Sequence, residues 1–236
     1  MRTTPRSVSA IVDEQVQRWQ MQRRKEPGKP SQAAPIITVS RQYGARGGVV
    51  AQRVAERLGF QCWNHELITE MARHAHADEQ GLAAFDEHHR AGLVDAISGM
   101  IPKHMLGPSD YFRELTHVVH TISRHGRAVV VGRGVQFLLD PATVLRIRVV
   151  GPVEQRARRV MERDHIDERA ARQAVEEADR DRRDFIRDHY NRDIDDPCGY
   201  DVWLNMAFLT LDGAADIAVS AFRARFTDAA LATATL

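Results

Sequence analysis

The chain reads as an α/β domain in three layers, a parallel sheet of about five strands with helices on both faces. Three observations predict this. Short apolar or β-branched runs recur at Ile36–Ser40, Ala128–Val131 and Val144–Val150, as strands buried on both faces require. Segments of helical period separate them, so successive strands are joined by crossovers rather than hairpins. A length of 236 residues, 43% of them apolar, suits one such domain with a sizeable core and an appendage.

Residues 1–35 stand apart. Ile11, Val12, Val16 and Trp19 predict a short helix with a weak apolar face. A basic cluster, Arg23, Arg24 and Lys25, follows, then a linker carrying Pro27, Gly28, Pro30, Ser31 and Pro35. This extension is either a frayed arm or a helix that docks on a second subunit, which would make the protein a homo-oligomer. The main domain covers 36–228, and 229–236 is a C-terminal tail. In the domain, strand Ile36–Ser40 leads into a turn at Gly44–Gly48 and a helix at Val49–Leu58. Val50, Val54 and Leu58 share one face of that helix, and Gly59 sits where it should stop. A second strand is expected at Phe60–Trp63 and helices at Glu66–Ala75 and Ala91–Ile101, with a loop at Pro102–Ser109. Tyr111, Leu115, Val118, Val119 and Ile122 mark a helix ended by Gly126. After strands Ala128–Val131 and Val144–Val150, a polar helical stretch runs from Pro152 to about Tyr190. Tyr200–Leu204 is the fifth strand and Asp212–Phe226 the closing helix.

Composition narrows the function classes. Net charge is +1, which gives no global pull toward nucleic acid or membrane. Aromatics are 6% and are not interleaved with basic residues, which argues against nucleic-acid binding. No apolar run approaches the roughly 20 residues of a membrane span, and no signal-peptide core follows Arg2 and Arg6. Cys62 and Cys198 lie far apart and show no zinc spacing, so both read as reduced thiols of a cytoplasmic protein. The close histidine pairs, His74 with His76, His88 with His89 and His117 with His120, do not form a His-Glu-x-x-His helix pattern, and no metal site is assigned to them.

The segment Ser40-Arg41-Gln42-Tyr43-Gly44-Ala45-Arg46-Gly47-Gly48-Val49 carries the chemistry. A strand that feeds a glycine-rich turn into a helix N-terminus gathers backbone N–H groups and the positive end of the helix dipole, which together bind anions. Against the phosphate-loop pattern G-x-x-x-x-G-K-[ST], Gly47 falls at the lysine and Gly48 at the Ser/Thr, so both catalytic side chains are missing. Read by itself, the turn is either a phosphate cradle or a glycine bend that packs a helix on a strand. If it is a cradle, Arg46, ahead of Arg41, supplies the charge a lysine would give; the alternative is a solvated loop arginine. Arg133 follows an apolar strand at the end where open α/β sheets bind ligands, and a structural ion pair is its alternative. Arg156, Arg159 and Arg163 share one helical face, and Arg180, Arg183 and Arg187 repeat that spacing, interleaved with Asp179, Asp181, Asp184 and Asp188. From spacing alone these charges read as a salt-bridged helix surface.

From about Ile36 to Phe222 the chain resembles the cytidylate kinase-like family, relatives of bacterial cytidylate kinase. Five motifs in register carry the resemblance. They are Ile37-Thr38-Val39-Ser40-Arg41-Gln42-Tyr43-Gly44 with Gly47-Gly48, Asn64-His65-Glu66-Leu67-Ile68, Val131-Gly132-Arg133, Asp179 with Arg182, and Tyr200-Asp201 with Asn205. In that family a turn beginning Ser-Arg replaces the usual phosphate loop. The resemblance implies a P-loop kinase-like fold with a helical lid. ATP with Mg²⁺ would then pass its γ-phosphoryl group to a nucleoside monophosphate, CMP-like, or to another small acceptor. It places Ser40, Arg41, Gly44, Ala45, Gly47, Gly48 and Val49 around the cofactor. Arg156, Arg159 and Arg182 join Arg46 as catalytic arginines, and Asn64, Arg133, Asp179 and Asp201 fall on the substrate side, with a lid hinge or a structural hydrogen bond as the alternatives for Asp201 and Asn205. Asn64-His65 stands where the family more often has an Asp-Arg pair, and Gly134 where cytidylate kinases carry Asp. The rival reading is a non-catalytic nucleotide-binding module with a degenerate loop.

Overall fold

Strand β1 (Ile36–Arg41) is the centre of the sheet, and its alternating residues decide what lies on each side. The protein is described by a computed structural model covering residues 35–64, 115, 116, 118–120, 122, 123 and 126–226. The expected N-terminal helix, the helices at 66–75 and 91–101, the loop at 102–109 and the tail at 229–236 lie outside the described residues. So do His74, His76, His88, His89 and His117. The chain divides into two compact units, Met1–Gln32 with His65–Thr121, and Ala33–Asn64 with Ile122–Leu236.

In the second unit β1 is followed by α1 (Gly47–Leu58), β2 (Gln61–Trp63), β3 (Ala128–Val131), β4 (Val144–Val150), α2 (Val153–Asp164), α3 (Glu168–Tyr190), β5 (Val202–Asn205) and α4 (Leu211–Arg225). The five strands pair in parallel in the order β2-β3-β1-β4-β5. This is the predicted α/β class and strand number.

Ile37, Val39, Val129, Val131, Leu145, Ile147 and Val149 all point to one face. There they meet Val50, Ala51, Val54 and Ala55 of α1 and Ala214, Ala215, Ala218 and Phe222 of α4. The small alanines let both helices lie close on the β-branched sheet, and this burial is the main favourable term for the unit. The opposite face is equally dry, with Ile36, Val130 and Val144 at 0–2% exposure, yet it also holds Thr38, Ser40 and Arg148. Ser40 and Arg148 pair one step before the last pair of β1 and β4, and Thr38 lies further in, level with Arg146.

Helix ends follow local chemistry. Gly59 takes φ 65° and its N–H caps the carbonyls of Ala55 and Glu56, so α1 stops where the sequence predicts. It starts two residues earlier than predicted, at Gly47. Gly126 (φ 63°) likewise donates to Ile122 and Ser123. The polar stretch 152–190, predicted as continuous, is two helices. His165 turns left-handed (φ 56°), and the Asp167 carboxylate caps α3 by accepting from the Ala170 N–H at 2.8 Å. The break folds α3 back on α2 over a small apolar seam, Ala157, Val160, Ala171 and Val175, which Tyr43 of the turn helps to close. No described helix is long and apolar enough to cross a membrane.

Candidate functional site

The turn between β1 and α1 is held from below. Gln42 donates its N–H to the Val149 carbonyl at 3.0 Å, and its side-chain oxygen accepts from the Gly151 N–H at 3.0 Å. Two glycines are sterically required. A Cβ on Gly44, already at φ 76°, would lie 2.8 Å from the Arg156 carbonyl oxygen, and one on Gly47 would lie 2.6 Å from the Arg41 Cβ. Gly48 faces open space, with nothing within 4 Å of a Cβ built on it. Arg46 closes the turn at φ 64°. The N–H groups of Gly44, Arg46, Gly47 and Gly48 donate to no carbonyl among the described residues. N–H groups left without a carbonyl partner at the positive end of a helix favour an anion, and Gly48 offers open space beside them.

Two arginines lie beside these groups. Arg46 is exposed. Arg159 of α2 reaches the Gly44 carbonyl at 3.3 Å, with further long contacts to Gln155 and the Met206 carbonyl at 3.4 Å each. Burial lowers the Arg159 pKa from its ordinary value, and the charge of Arg46 lowers it further, against a partial offset from Glu162. The two guanidiniums disfavour one another, and an anion between them would relieve that repulsion.

Arg156 and Asp179 belong to the same site but are committed to holding it. Arg156 is 5% exposed. Its Nε donates to the Gly151 carbonyl at 2.8 Å, and its Nη1 to the Tyr43 carbonyl at 3.0 Å and the Asp179 carboxylate at 2.6 Å. The other Asp179 oxygen accepts the Tyr43 N–H at 2.8 Å. Tyr43 is thus gripped through its N–H, its carbonyl and its hydroxyl, which accepts from Arg163. The guanidiniums of Arg163 and Arg182 also stack over its ring, at 5.2 and 5.4 Å from the centroid. The sequence spacing that suggested a solvated surface hides this buried pair.

The remaining sequence-predicted residues divide by location. Arg182 is half-buried and makes two long contacts, to the Arg41 carbonyl at 3.5 Å and to Asp179 at 3.4 Å. Burial lowers its pKa, and the charge of Arg148 adds to the effect against Asp179. The Arg41 side chain crosses to β3, where a Cβ on Gly132 would lie 2.1 Å from its Nη1. Arg133 (φ 58°) stacks its guanidinium over Phe185 at 5.4 Å, while its carbonyl accepts from the Tyr190 hydroxyl. Gly134 lies directly against Tyr190, leaving no space for a larger residue. Asn64 is exposed just past the end of β2. Ala45 is buried, and Val49 is 43% exposed in the first turn of α1. Ser40 faces away from the turn, accepting from Arg148 at 2.8 Å.

Asp201 lies apart from this group. It receives the Arg146 N–H and guanidinium, each at 2.8 Å, and an ion pair from Arg225. Burial alone would raise its pKa, but the Arg146 hydrogen bonds and the two arginine charges outweigh that and lower it. Its level in the sheet is that of Arg146, three residues short of Val149, which pairs with Arg41 at the strand end. That is about 10 Å from the turn along the strands.

Sequence reasoning did not single out buried Arg148, which contacts Ser40, Asp195 and the Tyr200 ring. The available signal was an arginine inside an apolar strand, because a buried guanidinium must find partners. As for metals, the described residues hold no group of three or more His, Cys, Asp or Glu suited to a cation. Asp179 is engaged elsewhere, and Gly48 offers no hydroxyl. A Mg²⁺ ion arriving with a nucleotide would be held by phosphate oxygens and water. The described residues do not fit a metal centre of the protein's own.

Comparison with known proteins bears on the family and the fold. A cytidylate kinase from Natronomonas pharaonis is 27% identical over 190 residues, covering 80% of this chain and 90% of that one. The crystal structure of an uncharacterized protein from Eubacterium ventriosum matches with a TM-score of 0.66 at 20% identity, over 81% of this chain and 99% of the other. That likeness bears on the fold. A shikimate kinase from Bacteroides thetaiotaomicron matches with a TM-score of 0.43 at 12% identity, over 80% and 96% of the two chains. The model of the cytidylate kinase-like family matches residues 36–207, from the first strand through the loop after the last. The chain therefore belongs to the cytidylate kinase-like family.

Proposed function

We propose that the protein is an ATP-dependent phosphotransferase that binds the donor phosphates on the turn Gly44–Gly48. The acceptor is a nucleoside monophosphate of CMP type or another small phosphate or hydroxyl compound. One observation carries the reading: the N–H groups of Gly44, Arg46, Gly47 and Gly48, at and just before the start of α1, donate to no carbonyl among the described residues, and Arg46 and Arg159 lie beside them. In the transfer, the bond between the γ-phosphorus and the β,γ-bridging oxygen breaks as the acceptor oxygen bonds to phosphorus. Negative charge then builds on the departing ADP. N–H donors and guanidiniums fixed beforehand stabilise that charge without reorganising. A phosphate acceptor is already anionic and needs no strong base. Arg156 and Asp179 fix the turn through Tyr43, and Arg182 lies on the acceptor side. Asn64 and Arg133 lie past the ends of β2 and β3, the edge where open α/β sheets bind ligands, which supports reading them as acceptor contacts. The α2–α3 pair serves as the lid that excludes water.

The second reading, a nucleotide-binding module without transfer, is favoured by Gly47. A side chain there would collide with the Arg41 Cβ, so no lysine fits at that position. Purified protein with Mg-ATP and a panel of acceptors, CMP first, separates the readings by ADP formation. Acceptor-dependent ADP is the expected result. ATP binding without it supports the module, and absence of ATP binding refutes both.

A further inference from the structure

On the sheet face turned away from α1 and α4, Arg148 is 3% exposed in the middle of a parallel sheet. Its Nη1 donates to the Ser40 hydroxyl and its Nη2 to the Asp195 carboxylate, each at 2.8 Å. Its guanidinium lies 5.8 Å from the centre of the Tyr200 ring. Its Nε is buried with no partner among the described residues. A guanidinium is expensive to bury, and this one has a single carboxylate partner that is itself 45% exposed.

Its neighbour supplies a reason. Arg148 is anchored on Ser40, and Arg182 reaches the carbonyl of the next residue, Arg41. The two guanidiniums thus attach to consecutive positions at the end of β1. Asp179, the carboxylate nearest Arg182, already pairs with Arg156 and the Tyr43 N–H at shorter distances. Positive charge is therefore in excess here, between the end of β1 and Tyr43 of the turn, whose ring the Arg182 guanidinium overlies at 5.4 Å.

We propose that Arg148 is a positioning residue for a second anion site, in which the half-exposed Arg182 contacts the anionic group of the acceptor and the buried Arg148 supplies charge from behind. This rests on the phosphotransferase reading above, and what it adds is the role of Arg148 behind Arg182. Arg148 acts through the low-dielectric sheet and through Ser40, and does not itself touch the ligand. Asp195 attenuates it, so the exposed carboxylate sets how strongly the site attracts anions.

The test is inorganic phosphate binding to the full chain at constant ionic strength, by calorimetry, after saturation with a non-hydrolysable ATP analogue and Mg²⁺. Arg148→Met is expected to weaken phosphate binding about tenfold, and Arg148→Lys to restore most of it. Analogue affinity should change less than about twofold. Asp195→Asn is the opposite arm: by unmasking Arg148 it should tighten phosphate binding about threefold, whereas a damaged scaffold would weaken it. This arm keeps the proposal testable if Arg148→Met does not fold. Unchanged phosphate binding in Arg148→Met, parallel loss of analogue and phosphate binding, or weaker binding in Asp195→Asn would overturn the proposal. Failure of the wild type to bind the analogue would instead count against the donor-site reading. Phosphate titration into the unliganded wild type and variants then decides the role of Arg148 separately.

Discussion

Asp179→Asn tests whether the buried pair with Arg156 builds the phosphate turn. The substitution keeps the shape and leaves an oxygen for the Tyr43 N–H, now accepted at 2.8 Å. It turns the other oxygen, 2.6 Å from Arg156 Nη1, into an amine that faces a donor. Arg156 is 5% exposed and keeps its charge. Breaking one side of a buried pair costs about 3–5 kcal/mol. At roughly 2–4 °C per kcal/mol for a chain of this size, the midpoint should fall by about 10 °C. Because Tyr43 loosens with the pair, ATP affinity should fall as well. Thermal unfolding followed by circular dichroism gives the first number and ATP titration the second. The double variant Arg156→Met/Asp179→Leu removes both charges and should recover much of the stability. A midpoint for Asp179→Asn within about 2 °C of wild type, together with a raised acceptor KM, would refute the reasoning and make Asp179 a substrate contact.

Three further outcomes are expected. Arg46→Ala should lower turnover about 100-fold, while Arg53→Ala, which loses only an exposed pair with Asp212, should stay near wild type; equal turnover in steady-state assays would remove Arg46 from the mechanism. Gly47→Ala forces a Cβ to 2.6 Å from the Arg41 Cβ and should cost about 1–3 kcal/mol in urea unfolding; Gly48→Ala enters open space and should be neutral or stabilising by about 0.5–1 kcal/mol. Burial, aided by Glu56, pushes the Cys62 thiol up to about 11. A pKa raised this far leaves almost no thiolate at pH 8, so iodoacetamide should label exposed Cys198 first. Cys62 should be labelled only as pH approaches 11 or the chain unfolds, and mass spectrometry of the alkylated protein decides this.

Much of the architecture was legible because its signals are local. Ile36–Arg41, Ala128–Val131 and Val144–Val150 are apolar enough to be buried strands wherever they pair. Gly59 and Gly126 announce helix stops through a backbone angle that glycine takes easily. The break at His165 had a local signal too, Asp167 followed by Glu168 as an N-terminal cap and acidic first turn, but the uninterrupted polar pattern around it masked the break. The division of labour among the arginines had no such signal. Arg156, Arg159 and Arg163 share one helical face, yet one holds an ion pair, one reaches the Gly44 carbonyl and one stacks on Tyr43.

From its own order of residues, the chain determined a parallel α/β sheet with a glycine turn at Gly44–Gly48 between its first strand and first helix. That needed only a strand, glycines able to turn tightly, and a helix start. Tertiary structure alone decided that Asp179 meets Tyr43 across 136 positions, that Arg148 meets Ser40 across 108, and that Asp201 is tied to Arg146 and Arg225 away from the turn. Charges of one type are interchangeable in a sequence pattern. Burial and the partners a fold brings within about 3 Å separate a guanidinium that binds ligand from one that holds the binder in place.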